Sequence, residues 1–298
     1  GIERLGVVLE PTEDYEKRPD GGGCEDPRIT FVDAIDRFVM TYTAFGPGGP
    51  RIAIAISNDL FTWKRLGLVR FESHDGIAFE GIDNKDALVF PIAIPAPDGR
   101  MSLGMLHRPL FPGTTPSETA MCPWPRHIDV QRESIWIAHS FCPLDRPCKN
   151  DAHHLCLFQS HRRLASPVAP WEKLKIGGGT PPVLTRLGWL LLYHGVSDCC
   201  DANGPGYHAG IMILDRRQPH LIRYRSGGPV MSPEGKAEEQ GVVNNVVFPT
   251  GIDQRTDIGC EDRFDVYYGM ADERIGIARF DLPESLPLTG AADAYDVV

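Results

Sequence analysis

Short apolar runs, broken at close intervals by proline and glycine, dominate the pattern of hydrophobic and polar positions along this chain. Helical periodicity is scarce, while 26 prolines and 31 glycines separate the apolar runs. Many short strands with regular turn signals are typical of a β-sandwich, a β-barrel or a β-propeller. The pattern therefore predicts an all-β protein.

One phrase recurs along the chain and favours a propeller over the other two architectures. It consists of an apolar strand that ends in a polar cluster, then a gap, then a second apolar strand. Successive copies are spaced as propeller blades are, at ~40–50 residues with insertions. We therefore expect a single catalytic propeller domain over residues 1–298. The copies span 37–59, 100–109 with 133–140, 188–196 with 207–215, and 263–281.

The polar cluster at the end of each first strand is a candidate pocket. Because equivalent strand ends of a propeller converge near one axis, we expect Tyr42, Arg108, His194 and Asp272 to line the same pocket. The alternative is that these are ordinary polar residues at strand ends. The pattern alone leaves both interpretations open.

Two long polar segments interrupt the repeat, at about 112–134 and 141–161. Both are rich in proline, cysteine and histidine, and we interpret them as rim loops, where specificity usually resides. Their histidines are expected to be solvated and not catalytic: His127, His153, His154 and His161.

The run "WEKLKIGGGTPP" (171–182) raises the question of a phosphate-binding P-loop. A P-loop needs Lys-Ser or Lys-Thr after the last glycine and a helix whose first N–H groups face the anion. Here Thr180-Pro181-Pro182 follows, and two prolines remove two donors. The glycines are therefore predicted to form a turn before a strand, although an anion could still bind between Lys175 and His194.

Composition and charge narrow the possible partners. The 298-residue chain carries a formal net charge of −10 and has no long Lys/Arg run, so nucleic acid is not expected as a partner. A basic site in such a chain has to be local, because the field of the whole protein repels anions. The sequence contains no stretch of about 18 apolar residues, so no membrane span is predicted. The first residues lack a signal-peptide pattern.

The eight cysteines form no CxxC pair. In a chain of this length such cysteines are expected to be free thiols in a reducing compartment, which predicts a cytoplasmic protein. Cys199-Cys200, flanked by Asp198 and Asp201, are the best metal candidates. No histidine or cysteine lies at a ligand spacing from them, so no metal site is predicted.

Two acidic motifs carry candidate chemistry. "GGGCEDPRIT" (21–30) places Asp26 and Arg28 around a proline at a strand entrance, and "GIDNKDALVFP" (81–91) places Asn84, Lys85 and Asp86 before an apolar run. A carboxylate beside a lysine at the mouth of a buried strand is a candidate general acid. Aspartate before a strand is also common in loops, so each motif alone is weak.

Taken in order, seven motifs resemble those of glycoside hydrolase family 130. They are "EDPRI", "NKDALVFP", "LHRP", "WEKLKIGGGTPP", "GWLLLYHGV", "GVVNNVVFPTG" and "YYGMAD", and they run from about residue 24 to residue 280. The resemblance implies a five-bladed β-propeller that acts on β-mannosides, in most members as an inverting phosphorylase. The strand-rich repeat agrees with this resemblance independently.

The resemblance also implies roles for matching residues. Asp86 corresponds to the single general acid, which in this family is thought to protonate the glycosidic oxygen through the mannosyl 3-hydroxyl. Arg108, Lys175 and His194 match the phosphate-binding residues, with Lys173 as the alternative to Lys175, and Tyr207 matches a tyrosine on the phosphate and acceptor side. The residues implied around the mannosyl unit are Asp26, Arg28, Arg51, Asn84, Lys85 and Asp272.

These residue types suit phosphorolysis. An inverting hydrolase needs an acid and a base, whereas a phosphorylase needs only one carboxylate, because phosphate is already a nucleophile. It does need cations that hold the anion, and arginine supplies a bidentate fork while lysine supplies a point charge. We therefore expect a β-mannoside phosphorylase with inorganic phosphate as co-substrate and no cofactor.

Three alternatives remain open. An inverting β-mannosidase of the same family would lack the phosphate-binding trio and carry glutamates that activate water. A glucan or arabinan hydrolase would use three carboxylates, for which Asp26, Asp86 and Asp272 are available. A non-catalytic sugar-binding propeller would lose the acid or the trio. The linkage, the acceptor sugar and the chain-length preference stay open, and a homo-oligomer is compatible with the sequence.

Overall fold

In a computed structural model, the chain is described at Glu3 and over residues 5–19, 21–111, 133–141, 155–198 and 205–287. These residues form an all-β structure of four sheets. The α-helical content is one short helix, α1 (Lys236–Glu239). No helix among the described residues is long and apolar enough to cross a membrane.

Each sheet is built from consecutive stretches of the chain, with neighbouring strands mostly antiparallel. The first sheet has the order β1 (Gly23–Val32), β2 (Arg37–Gly46), β3 (Gly49–Ser57), β4 (Trp63–Leu68). The second contains β5 (Arg70–Phe71), β6 (Asp83–Val89), β7 (Ile94–Pro95), β8 (Met101–Leu110), β9 (Ile135–Ser140) and β10 (Leu157–Ala165), in the order β5-β10-β9-β8-β6 with β7 on β8.

The remaining strands complete two further sheets. The third contains β11 (Lys175–Gly178), β12 (Val183–Thr185), β13 (Gly188–Ser197), β14 (Gly206–Leu214) and β15 (Ile222–Arg225), in the order β11-β13-β14-β15 with β12 also on β13. The fourth has the order β16 (Val247–Gln254), β17 (Arg263–Met270), β18 (Arg274–Asp281).

Strands in the middle of this arrangement are buried on both faces, which explains why the sequence shows continuous apolar runs. Along β13, Leu191 and Tyr193 belong to the core between the second and third sheets, whereas Leu190 and Leu192 belong to the core between the third and fourth. This division follows from the two-residue period of a strand. A third cluster joins the first sheet to the second. Among the described residues, no buried cluster joins the fourth sheet to the first.

The prediction of five blades is wrong for the described residues, which form four propeller-like sheets. The four copies of the recurring phrase coincide with a pair of neighbouring strands in each of these four sheets, namely β2–β3, β8–β9, β13–β14 and β17–β18. The fifth blade had no such phrase and came only from the family resemblance. The predicted all-β class is confirmed.

Much of the predicted rim loops lies outside the described residues, together with His127, His153, His154 and Cys199-Cys200. The second loop is shorter than predicted at its end, because residues 157–161 belong to β10. His161 was expected to be solvated but is buried and stacks on Phe79 with ring centroids 3.9 Å apart. Burial lowers the pKa of His161 to about 3, so the imidazole is neutral.

Candidate active site

Strand β1 of the first sheet and strand β6 of the second share an irregularity at an acidic residue. Asp26 and Asp86 have φ values of 51° and 56°, in the left-handed region that few non-glycine residues adopt. The pairing register shifts at the same points, between Glu25 and Arg28 and between Lys85 and Leu88. A bulge re-aims a side chain, and backbone strain of this kind concentrates at functional sites. The geometry therefore marks Asp26 and Asp86 as candidate site residues.

Asp86 is the centre of a buried polar cluster drawn from three sheets. Its Oδ2 accepts a hydrogen bond from Arg108 Nε on β8 at 2.5 Å and lies 3.6 Å from His194 Nε2 on β13. Arg28 Nη2 on β1 lies 3.9 Å from the other carboxylate oxygen. The Asp86 side chain is 2% exposed. The structure thus brings together four of the residues that the sequence assigned to the acid and phosphate sites or to the sugar.

The charges in this cluster fix the protonation states. Burial alone would raise the pKa of Asp86, but the neighbouring Arg108 and Arg28 outweigh burial and hold this pKa below its usual range. Burial lowers the pKa of His194 to about 3, against the opposing effect of Asp86. Asp86 is therefore ionised and His194 neutral, and the positive charge next to Asp86 comes from arginine.

The glycine run is required because β11 passes very close to this cluster. A side chain at Gly177 would overlap the Asp86 carboxylate and the His194 ring, and one at Gly178 would overlap Leu88. Lys175–Gly178 is a strand paired with β13 and not the predicted turn. Glycine here permits close approach of the backbone, and no nucleotide loop is formed.

Arg28 holds the glycine strand in place. Its Nε donates to Gly179 O at 3.1 Å, Nη2 to Gly178 O at 3.2 Å and Nη1 to Asp26 O at 2.6 Å. The side chain is buried, and its guanidinium lies 5.1 Å from the centroid of the Phe248 ring. Because these donors are directed to backbone carbonyls, Arg28 acts here as a positioning residue, and its predicted contact with sugar stays a prediction.

The other predicted phosphate ligands lie at the same end of the neighbouring strands β11, β13 and β14. Lys175 Nζ is 5.5 Å from the centroid of the Tyr207 ring, which in turn is 6.0 Å from the His194 ring. His194 Nδ1 is buried without a hydrogen-bond partner among the described residues. Lys173, the alternative to Lys175, forms an ion pair with Asp198. A buried imidazole nitrogen without a partner next to cationic side chains is a suitable place for an anion.

Sequence reasoning missed Glu133. Its Oε2 forms an ion pair with Arg108 Nη1, and its side chain is 17% exposed. The residue was overlooked because it falls at the end of the predicted rim loop 112–134. The available signal was its position two residues before β9, the strand that pairs with the Arg108 strand. Arg108 is therefore shared between two carboxylates, Asp86 and Glu133.

Comparison with known proteins identifies the family. The model of glycoside hydrolase family 130, described as beta-1,4-mannooligosaccharide phosphorylase, matches residues 4–289. The chain belongs to glycoside hydrolase family 130. This confirms the resemblance seen in the seven sequence motifs.

Several characterised family 130 proteins are similar to this chain. A beta-1,4-mannooligosaccharide phosphorylase of Ruminococcus albus is 39% identical over 273 residues, covering 91% of this chain and 67% of the relative. A 1,2-beta-oligomannan phosphorylase of Thermoanaerobacter sp. is 31% identical, covering 95% of this chain and 80% of the relative. The structure of a beta-1,2-mannobiose phosphorylase from Listeria innocua, in complex with beta-1,2-mannobiose, aligns with a TM-score of 0.66 at 25% identity, covering 94% of this chain and 63% of that one.

Three of the remaining sugar-site residues implied by family 130 are already paired within the protein. Arg51 forms an ion pair with Asp83, Lys85 Nζ donates to Glu25 at 3.2 Å, and Asn84 Nδ2 lies 2.9 Å from His107 Nδ1. Asp26 makes no side-chain hydrogen bond among the described residues, and burial, followed by the nearby Asp86 charge, raises its pKa against the opposing effect of Arg28. Asp26 is thus a further carboxyl group near Asp86.

Two of the four strand-end residues predicted to share a pocket do not join the cluster. The Tyr42 hydroxyl donates to Glu16 at 2.7 Å. The Tyr42 side chain therefore points away from the Asp86 cluster. Asp272 is exposed, with φ of 55°, and no hydrogen bond or ion pair among the described residues joins it to Asp86, Arg108 or His194. Arg108 and His194 therefore meet as predicted and Tyr42 does not, while a place for Asp272 in the same pocket stays a prediction.

Proposed function

We propose that this chain is an inverting β-mannoside phosphorylase. It would transfer a β-mannosyl unit from an oligosaccharide to inorganic phosphate, releasing α-mannose 1-phosphate and the shortened acceptor. The observation that carries the proposal is a single deeply buried carboxylate, Asp86, held against Arg108 and His194 beside Lys175, in a chain of family 130.

Phosphate is the nucleophile in this mechanism. Arg108 offers a planar fork that matches two phosphate oxygens, and Lys175 offers a point charge. The Arg108 fork is occupied by Asp86 and Glu133, so phosphate has to displace Glu133 to bind there. Since Glu133 lies at the exposed side of the cluster and Asp86 at its buried side, the glutamate is the group free to move.

The same exchange lets Asp86 take up a proton from solvent water. Before phosphate binds, Asp86 is ionised because Arg108 and Arg28 lower its pKa. A phosphate dianion on Arg108 cancels much of that positive charge, so the Asp86 pKa rises and the carboxyl group can hold a proton. Asp86 then gives this proton to the glycosidic oxygen as the bond from that oxygen to C1 breaks. A phosphate oxygen bonds to C1 from the opposite face, which inverts a β-mannoside to the α-phosphate.

Glu133 favours a second candidate, the inverting β-mannosidase. A carboxylate beside Arg108 could activate water instead of making room for phosphate, and inverting hydrolysis needs such a base. The two functions differ in their co-substrate. Linkage is a separate matter, since β-1,4 and β-1,2 substrates both occur in the names of the relatives.

The test is an assay of β-1,4- and β-1,2-mannobiose with and without phosphate, in which mannose 1-phosphate and free mannose are measured separately. We expect mannose 1-phosphate in the presence of phosphate and little cleavage without it. Release of free mannose at the same rate in phosphate-free buffer would establish the hydrolase.

We also propose a cytoplasmic location with no cofactor beyond phosphate, in keeping with the free thiols of Cys24, Cys156 and Cys260.

A further inference from the structure

Two threonines of β2, Thr41 and Thr43, lie on the same face of the first sheet, because side chains two residues apart on a strand point the same way. They differ in hydrogen bonding. The Thr41 hydroxyl donates to Ala87 O at 2.6 Å, directly after Asp86 on β6. The Thr43 hydroxyl is buried and has no hydrogen-bond partner among the described residues. The two threonines are 0% and 1% exposed, so water does not replace the partner that Thr43 lacks.

A buried hydroxyl without a partner is destabilising, and nearly all buried polar groups of folded proteins are paired. Valine would fill the same space at position 43 without this cost. The unpaired hydroxyl of Thr43 therefore points to a bond that is made only when a ligand is present.

The register of the strands places Thr43 in the same position as a residue of the Asp86 cluster. Tyr42 and Tyr193 each donate to a buried glutamate, at 2.7 and 2.5 Å, and are equivalent residues of the first and third sheets. Thr43 follows Tyr42 as His194 follows Tyr193. Since His194 Nε2 lies 3.6 Å from the Asp86 carboxylate, the equivalent face of β2 is the one turned toward the site.

The partners of the two threonines on β1 agree with this orientation. Thr41 pairs with Arg28 and Thr43 pairs with Glu25. Directly paired residues of neighbouring strands lie on one face of a sheet. Arg28 Nη2 lies 3.9 Å from the Asp86 carboxylate, so Thr43 shares the face that Arg28 presents to Asp86.

An exposed ion pair borders Thr43 on the side of β1. Glu25 accepts a hydrogen bond from Lys85 Nζ at 3.2 Å, and the two side chains are 34% and 24% exposed. Exposed pairs of this kind contribute little to stability, so a substrate can part them at small cost. Asp86 and His194 are as deeply buried as Thr43, at 2% and 1% exposed, and a substrate of this site has to reach them as well.

The charges around Thr43 favour a sugar over an anion as its ligand. Its cross-strand partner Glu25 is acidic, and Asp26 occupies the bulge between Glu25 and Arg28. Carboxylates repel phosphate, whereas a sugar hydroxyl both donates and accepts hydrogen bonds, as the threonine hydroxyl does. One sugar hydroxyl can therefore donate to a carboxylate and accept from Thr43.

We propose that the Thr43 hydroxyl forms a hydrogen bond with a hydroxyl of the transferred mannosyl unit. This makes Thr43 a substrate-binding residue of the first sheet, in the position that His194 occupies in the third. The assignment rests on the proposed function, because that function supplies the mannoside.

The test measures mannoside binding separately from turnover. β-1,4- and β-1,2-mannobiose are titrated by calorimetry into the Asp86→Asn protein in phosphate-free buffer, where loss of the acid protects the ligand from cleavage. Adding Thr43→Val keeps the branched shape and removes the hydroxyl, and should raise the Kd of the mannobiose that binds by about five-fold or more. Adding Thr43→Ser keeps a hydroxyl and should leave this Kd nearly unchanged.

Thr41→Val is the matched control, because it removes a hydroxyl that is already bonded within the protein. We expect Thr41→Val to lower the denaturant midpoint and to leave the Kd nearly unchanged. Thr43→Val should raise the Kd and leave the midpoint unchanged or higher, since no bond within the protein is lost.

Mannobioses that each lack one hydroxyl of the non-reducing mannosyl unit identify the contact. For the sugar that lacks the hydroxyl bound by Thr43, Thr43→Val should cause no further loss of affinity, whereas it should weaken binding of the others. An unchanged Kd in Thr43→Val, an equal loss for every deoxy sugar, or a fall in midpoint as large as that of Thr41→Val would overturn the assignment alone. If the Asp86→Asn protein with Thr43 intact binds neither mannobiose, the proposed function is contradicted and this assignment with it.

Discussion

Two buried carboxylates in this protein, Glu172 and Asp86, have opposite roles although both contact arginine. Glu172 has each oxygen satisfied, by Tyr193, by Arg225 and by two backbone N–H groups. Asp86 shares its arginine with a second carboxylate, Glu133, and its neighbour His194 has a buried nitrogen without a partner. A buried ion pair therefore does not by itself mark an active site.

The two clusters meet on a single strand. Tyr193 and His194 are adjacent on β13 and point to opposite faces, one toward Glu172 and the other toward Asp86. What distinguishes the Asp86 side is unsatisfied hydrogen-bonding capacity, the left-handed backbone of Asp86 and the glycine strand pressed against it. Variants of the two clusters should accordingly change different measured quantities.

The largest expected effect is on stability, in Glu172→Gln. The change removes the Glu172 charge from a buried ion pair with Arg225, and breaking a buried pair in this way costs about 3–5 kcal/mol. Denaturant unfolding would measure the loss, with the exposed Glu80→Gln as the matched control, which should change the free energy of unfolding by less than about 0.5 kcal/mol. Turnover per folded molecule should stay near normal, and a selective loss of turnover without loss of stability would make Glu172 a site residue instead.

The second expected effect is on turnover, in Asp86→Asn. Asparagine keeps the size and hydrogen bonding of the side chain but cannot donate an acidic proton, so kcat on an unactivated mannoside should fall by ~10² or more. Circular dichroism should show an intact fold. Near-normal turnover in this variant would remove Asp86 from the role of general acid.

Strand alternation explains why the sequence predicted only part of this site. Arg108 and His194 occupy the same position of the recurring phrase and do meet at Asp86. Tyr42 occupies the preceding position, equivalent to Tyr193. Its side chain therefore points to the other face, toward Glu16 and Arg65. The residue of the first sheet equivalent to His194 is Thr43, whose hydroxyl is buried without a partner among the described residues. The prediction grouped Tyr42 with Arg108 and His194, although successive side chains of a strand point to opposite faces, and this produced the error.

Other features had no local signal in the sequence. The ion pair of Arg108 with Glu133 depends on how a long connection returns to β9, and the sharing of an arginine between two carboxylates depends on distances between strands. The need for glycine at position 177 arises from the approach of three sheets to one point. The short apolar runs, by contrast, predicted two neighbouring strands in each of the four sheets, because apolar strand residues leave a direct mark on composition.

A third prediction separates the two lysines near the cluster. Lys175→Met should raise the KM for phosphate by about ten-fold or more, because a charged hydrogen bond to the anion is worth about 1.5–3 kcal/mol. Lys173→Met removes a charge of the same kind two residues earlier, from a lysine paired with Asp198. This variant should leave the KM for phosphate nearly unchanged. The reverse result would assign the phosphate contact to Lys173.

The smallest expected effect belongs to Glu133. If this carboxylate occupies the Arg108 fork until phosphate displaces it, Glu133→Gln removes the competing charge and should lower the KM for phosphate by a few-fold. Because Glu133 takes no part in proton transfer in this mechanism, kcat should change little. The exposed Glu80→Gln serves again as the control. In the hydrolase interpretation Glu133 is the base that activates water, so the same variant would lose most of its turnover with and without phosphate. The direction of this small effect therefore decides whether the second carboxylate on Arg108 competes with the nucleophile or generates it.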